Sequence, residues 1–229
     1  MRPSLDESDS KTPFHKDRIM SRISISMLVL ALVAGVATMF VSSRAALAEK
    51  TVQASAKIGA AAPQFTLTDQ SGKEVKLSDY AGKVVVLEWF NDQCPFVVKF
   101  YKEGHMNTFA KEMAAKDVVW LAINSSNFTT NEANKKISDD WKIEHPVLND
   151  ASGKIGAAYG AKTTPHMYVI NKDGTLAYAG AIDDKRSTNA ADIAGAKNYV
   201  KQAVTQLLAG ETVTEPETQA YGCSVKYKN

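Results

Sequence analysis

The chain has 229 residues, 45% of them apolar and 23% charged, with a formal net charge of +2. Six of the 27 basic and four of the 25 acidic residues precede Glu49, so the remainder is charge-neutral and gives no electrostatic reason to expect nucleic acid or an anionic membrane as a partner. Two cysteines, Cys94 and Cys223, are too few for a disulfide scaffold, so a packed core must hold the chain together.

The N-terminal residues read as a targeting segment. Arg18 and Arg22 precede an apolar run from Met27 to Ala37 that extends with small breaks to Val41, and Ala46-Leu47-Ala48 follows. A basic region, an apolar region and an A-x-A site make a secretory signal peptide, here residues 1–48, cleaved after Ala48. A start at Met20 leaves a compact signal of the usual form. The competing reading is an uncleaved membrane anchor, since the run is near bilayer-spanning length. The expected location is periplasmic or secreted, where oxidising conditions allow Cys94 and Cys223 to pair.

Residues 49–210 read as one domain. Residues 62–69 and 75–77 alternate on either side of a turn at Gln70-Ser71-Gly72-Lys73, predicting a β-hairpin. Leu77–Tyr80 reads as a short helical turn. Val84–Phe90 is a nearly continuous β-branched and apolar run, the pattern of a strand buried on both faces. Asn91–Cys94 follows as a loop. Pro95 suits a first helical turn, because its missing N–H has no partner there anyway. That helix is expected to reach Met113, with Gly104 as its weak point. Val118–Asn124 is a second buried strand, Thr129–Trp141 a surface helix, Pro146–Leu148 a short strand and Gly153–Tyr159 a helical turn. Met167–Ile170 and Leu176–Ala179 form a hairpin about Asn171-Lys172-Asp173-Gly174. Apolar positions at Ile193, Ala196, Val200, Val204, Leu207 and Leu208 predict a helix over 190–208, stopped by Gly210. Residues 211–229 read as a polar tail carrying Cys223. The order implies an α/β fold, with a central mixed sheet covered by helices and an N-terminal hairpin.

The chemistry concentrates at Cys94. It lies between the end of a buried strand and the start of a helix, where reactive groups of α/β folds gather. Unpaired N–H groups there favour a thiolate, which is the nucleophilic form. The competing reading is an inert core cysteine. Cys223, in Tyr221-Gly222-Cys223, reads as a resolving thiol, as half of a static disulfide, or as an unconnected thiol. His105, His145 and His166 lack the spacing of a zinc site. Copper held by Cys94, His166 and Cys223 is the one metal reading that ligand softness allows. No phosphate-binding loop is present, and no cofactor is called for.

Gly59–Leu67, Gly72-Lys73, Leu77–Tyr80 and Gly82–Leu87, followed by Thr163-Thr164-Pro165-His166-Met167, resemble the thioredoxin-like superfamily. Within it the sequence is most similar to the peroxiredoxin-like alkyl hydroperoxide reductase and thiol-specific antioxidant group, over about residues 57–208. The resemblance implies a thioredoxin-like fold and a redox-active Cys94, with Thr164-Pro165 as a cis-proline segment lying against it. It also implies a thiol electron donor or a protein disulfide as partner, or a peroxide as substrate. Two departures stand out. Cys94-Pro95-Phe96-Val97 lacks the second thiol of Cys-x-x-Cys. Asn91 occupies the position, three residues before the cysteine, where typical peroxiredoxins carry Thr or Ser; it reads either as a substrate hydrogen-bonding group or as a turn former. The functional expectation is an exported thiol-dependent oxidoreductase with Cys94 as nucleophile and Cys223 as resolving partner. The alternative is a non-catalytic binding module for copper or a partner protein.

Overall fold

The structure is a computed structural model in which residues 56–228 are described. The expected signal segment, residues 1–48, and the alternative start at Met20 lie outside the described residues.

Strands β1 (Thr66–Thr68) and β2 (Glu74–Lys76) form the N-terminal hairpin, paired antiparallel with Thr66 opposite Lys76. Strand β3 (Val85–Trp89) follows, every residue of it buried. Parallel to it run β4 (Val119–Asn124) and then β5 (Val147–Asn149). A two-residue strand β6 (Thr163–Thr164) precedes the antiparallel hairpin β7 (His166–Ile170) and β8 (Leu176–Gly180). The seven-stranded sheet has the order β2-β1-β5-β4-β3-β7-β8, which places β3 inside it, between β4 and β7. Its mixed strand directions and helical cover are the α/β arrangement expected from the sequence.

The central position of β3 explains its composition. Val86 and Phe90 face one apolar layer, together with Val97, Phe100, Met113 and Val204. Val85, Leu87 and Trp89 face the other, with Leu121, Ile123, Leu148 and Tyr168. A strand covered on both faces has no polar side to alternate with.

Helices α1 (Pro95–Tyr101) and α2 (His105–Ala114) replace the single helix expected over 95–113. Gly104 separates them in the left-handed region, at φ 74°, a conformation that costs glycine little and other residues more. Helix α3 (Asn131–Trp141) is capped by Thr130, whose hydroxyl accepts from Ala133 N, and α4 (Lys154–Tyr159) is short. The helix expected over 190–208 is also divided. A 3-10 turn covers Ala190–Ile193, and α5 (Tyr199–Leu208) starts only after Asn198, whose side chain accepts from Lys201 N. Asn198, in extended conformation, is bridged to Asp183, and Tyr199 N donates to Ile182 O, which fixes the start of α5.

The segment after Gly210 is not the surface tail that its polarity suggests. Val213, Tyr221 and Val225 are buried. Strand β9 (Cys223–Ser224) pairs antiparallel with β6, setting Cys223 opposite Thr164. Further along, Val225 N donates to Lys162 O at 3.1 Å and Tyr227 Oη donates to Ala161 O at 2.7 Å.

Leu121 is fully buried, whereas Phe128 is 50% exposed. Leu121→Ala is expected to lower the unfolding free energy by about 2–5 kcal/mol, and Phe128→Ala to change it by no more than about 0.5 kcal/mol. Urea unfolding followed by tryptophan fluorescence checks both.

Candidate functional site

The site forms where the C-terminal end of β3 meets the start of α1. Asn91 makes the turn: its Oδ1 accepts from Gln93 N at 2.8 Å, and its carbonyl accepts from Cys94 N at 3.1 Å. Cys94 is the residue that caps α1, with Pro95 in the first helical turn. The Cys94 carbonyl takes the N–H groups of Val97 and Val98. Asn91 is buried and its carboxamide oxygen is engaged in the turn, so the turn-forming reading describes its geometry.

Across from Cys94 lies the Thr164-Pro165 segment, whose peptide bond is cis. The Cys94 Sγ–H donates to Thr164 O at 2.8 Å. The Thr164 side chain is also buried, and its hydroxyl has no hydrogen-bond partner. The third wall is β9. Gly222, at φ 137°, passes so close that a Cβ there would overlap the Thr164 carbonyl. Only glycine allows that approach, and it delivers the next residue, Cys223, to Cys94. Both cysteines are free thiols.

The two sulfurs have opposite tendencies. Burial pushes the Cys94 thiol up, but side-chain hydrogen bonds with Thr164 and Cys223 and the backbone N–H groups of Cys223 and Val97 outweigh it, so its pKa lies below the ordinary 9.0. Burial, the hydrogen bond to Cys94 and repulsion from its charge push Cys223 up to about 11, with Lys226 opposing. Cys94 is therefore the better thiolate and the better leaving group, and Cys223 a protonated donor beside it.

His166 does not join them. Its Nδ1 accepts from Lys162 N at 3.3 Å and lies 3.2 Å from Tyr168 Oη. Burial, with a smaller contribution from Lys162, lowers its pKa to about 4, so its ring is neutral. Among the described residues no group of three or more His, Cys, Asp or Glu is placed to hold a metal ion, so the copper set of Cys94, His166 and Cys223 is not assembled.

One group on the same layer went unnoticed in the sequence. Glu88 lies mid-strand in β3, fully buried. Its Oε2 accepts from Tyr101 Oη at 2.8 Å and from Trp120 Nε1 at 3.0 Å, while Oε1 has no partner among the described residues. Tyr101 Oη also lies 3.2 Å from His145 Nε2. Burial raises the Glu88 pKa to about 7, despite both hydrogen bonds. A carboxylate inside a β-branched apolar run was the available signal, because such a residue needs partners wherever the strand is buried.

Two expectations follow. Thr164→Val removes the buried hydroxyl and is expected to raise the Cys94 pKa, read from the pH dependence of its alkylation rate. Glu88 titrates near 7 when folded and near 4.5 otherwise. The unfolded chain then loses this proton first as the pH rises. Stability is expected to fall between about pH 4.5 and 7 and to level off above, by on the order of 3 kcal/mol from this group. Glu88→Gln is expected to abolish that component in urea unfolding measured across the range.

With this geometry established, the likenesses to known proteins acquire meaning. The AhpC/TSA family matches residues 58–179. The thiol-disulfide oxidoreductase ResA of Bacillus thuringiensis subsp. konkukian is 31% identical over 120 residues, which cover 52% of this chain and 67% of that protein. A conserved protein of Geobacillus kaustophilus of known structure is 28% identical, with a TM-score of 0.65 over 75% of this chain and 93% of that one. Peroxidoxin BcpB from Mycobacterium tuberculosis shares the fold at 24% identity, with a TM-score of 0.52 over 67% of this chain and 97% of its own. The matched residues include Cys94 and the whole Thr163–His166 segment, and the chain belongs to the AhpC/TSA family.

Proposed function

We propose that the chain is an exported thiol-dependent oxidoreductase that cycles between a Cys94/Cys223 dithiol and a Cys94–Cys223 disulfide. The observation that carries this reading is the register of β9, which sets Cys223 opposite Thr164, the residue whose carbonyl accepts from Cys94 Sγ, with Cys94 shifted toward thiolate and Cys223 pushed up to about 11.

Cys94 is 1% exposed, which favours a small electrophile, in the first instance a hydroperoxide. The Cys94 thiolate attacks one peroxide oxygen, and the O–O bond breaks. The sulfur becomes sulfenic acid, and the departing alkoxide takes the proton that Cys94 released. Cys223 then attacks the Cys94 sulfur and loses its own proton, and hydroxide leaves with that proton as water. Two thiols and one hydroperoxide give a disulfide, an alcohol and water. An external thiol donor returns the pair to the dithiol.

Disulfide exchange is the second reading, and a specific observation favours it. Asn91, where a peroxide-holding hydroxyl would stand, is committed to its own turn. In this mode Cys94 attacks one sulfur of a substrate disulfide and expels the other as a thiolate, and Cys223 then attacks the Cys94 sulfur of the mixed disulfide, forming the Cys94–Cys223 bond and releasing the second substrate thiolate.

Stopped-flow oxidation of the reduced protein by hydrogen peroxide and by a low-molecular-weight disulfide tests the proposal. Oxidation is expected to be at least about tenfold faster than for an unperturbed thiol and to end in a Cys94–Cys223 bond by mass spectrometry. It should be abolished in Cys94→Ser and arrested at the first adduct in Cys223→Ser. Reaction no faster than an ordinary thiol with both oxidants would sink the redox reading. The faster oxidant assigns the substrate.

A further inference from the structure

The strand edge beside Cys94 is already filled by the chain itself. Thr163 and Thr164 pair with Ser224 and Cys223, and Gly222 lies against the Thr164 carbonyl with no room for a Cβ. Any substrate chain approaching the Cys94 sulfur along Thr163–Thr164 meets this occupant first, because backbone groups already paired in a ladder offer nothing to an added strand.

The occupant is held at both ends. Upstream, the Tyr221 hydroxyl donates to Asp183, its ring centroid lies 5.8 Å from that of Phe96, and Lys99 Nζ sits 5.6 Å from the same ring. Thr218 Oγ1 accepts from Ala181 N at 2.9 Å. Downstream, Val225 N, Lys226 O and Tyr227 Oη bond to Lys162 O, Asn127 N and Ala161 O. Together these bonds oppose displacement of the strand by a weakly bound partner. The sulfurs are shielded unequally: Cys94 is 1% exposed, whereas Cys223 is only partly buried.

We infer that β9 is a specificity element, a self-supplied strand that closes Cys94 to protein substrates, admits small oxidants, and leaves Cys223 as the sulfur that a partner thiol meets. The inference rests on the redox pair proposed above. In the reducing half-reaction a partner thiolate attacks the Cys223 sulfur. The Cys94–Cys223 bond breaks, Cys94 leaves as a thiolate with the electron pair, and the partner is joined to Cys223. A second partner thiolate attacks the partner's sulfur and releases Cys223, which takes up a proton. Two partner thiols have become a disulfide and the chain's disulfide two thiols. Attack in this order expels the better leaving group first, which is the faster course of thiol–disulfide exchange.

Two measurements test this. In the first, the oxidised protein is treated briefly with glutathione, quenched in acid and alkylated, and the adducts are mapped by mass spectrometry. Glutathione is expected on Cys223, in excess over Cys94 by on the order of tenfold; equal adducts or an excess on Cys94 overturn the inference while leaving the redox pair standing. Failure of the Cys94–Cys223 bond to form at all removes both. In the second, the reduced Cys223→Ser protein is alkylated at Cys94 with a small maleimide and with the same group on a long polyethylene glycol chain. The large reagent is expected to lag by about tenfold or more, and adding Gly222→Ala, which pushes β9 off Thr164, is expected to narrow that gap. Equal rates before the glycine is changed, or a gap that Gly222→Ala leaves intact, exclude β9 as the barrier.

Discussion

The close approach of Gly222 to the Thr164 carbonyl is the contact on which the site depends. It lets β9 lie in register against β6, sets Cys223 opposite Thr164, and closes the third side of the Cys94 pocket. A side chain at position 222 cannot coexist with that carbonyl, so the approach rests on the identity of one residue. Everything the tail contributes to the chemistry passes through it.

Proximity then separates the two thiols. One sulfur gathers the available donors: the Thr164 and Cys223 side chains and two backbone N–H groups. The other gives up a hydrogen bond and faces the charge that the first develops. Two chemically identical groups are shifted in opposite directions because donors are distributed unequally around them. The division of roles needs no metal ligand set and no imidazolium, and His166 is correspondingly engaged elsewhere, by Lys162 and Tyr168.

The same layer carries a second polar device. Glu88 puts a carboxyl into a strand that is otherwise apolar, and Tyr101, Trp120 and His145 gather around it. Burying an ionised carboxylate there is costly, and neutralising it near pH 7 is how the group avoids that cost. A groove of about 710 Å³ lined by Lys83, Asn107, Lys111, Trp120 and His145 lies on the outer side of this network. Neither cysteine lines it, so the open volume and the thiol chemistry occupy different parts of the fold.

The order of strands and helices, the buried β3 and β4 and the loop carrying Cys94 could all be read from the chain, because apolar periodicity, Pro95 and the turn residues act locally; the cis bond at Thr164-Pro165 was expected from the family resemblance alone. Gly104 marked the first helix break in the sequence, whereas the break at residues 194–198 was harder to place, because apolar spacing continues through it and the bridge from Asn198 to Asp183 interrupts it. The last segment was the least legible. Its polar composition indicates solvent, whereas Val213, Tyr221 and Val225 are buried and the rest finds its partners in backbone far away in sequence. Sequence by itself determined which residue types are available and where strands and helices start: a cysteine before a proline-led helix, and a second cysteine after a glycine. Only the tertiary structure decided that Cys223 lies opposite Thr164 beside Cys94, and that Glu88 has partners in Tyr101 and Trp120. The approach of β9 to Cys94 depends on contacts between distant positions, as Cys94 and Thr164, 70 residues apart, are, and no local preference encodes a distance of that kind.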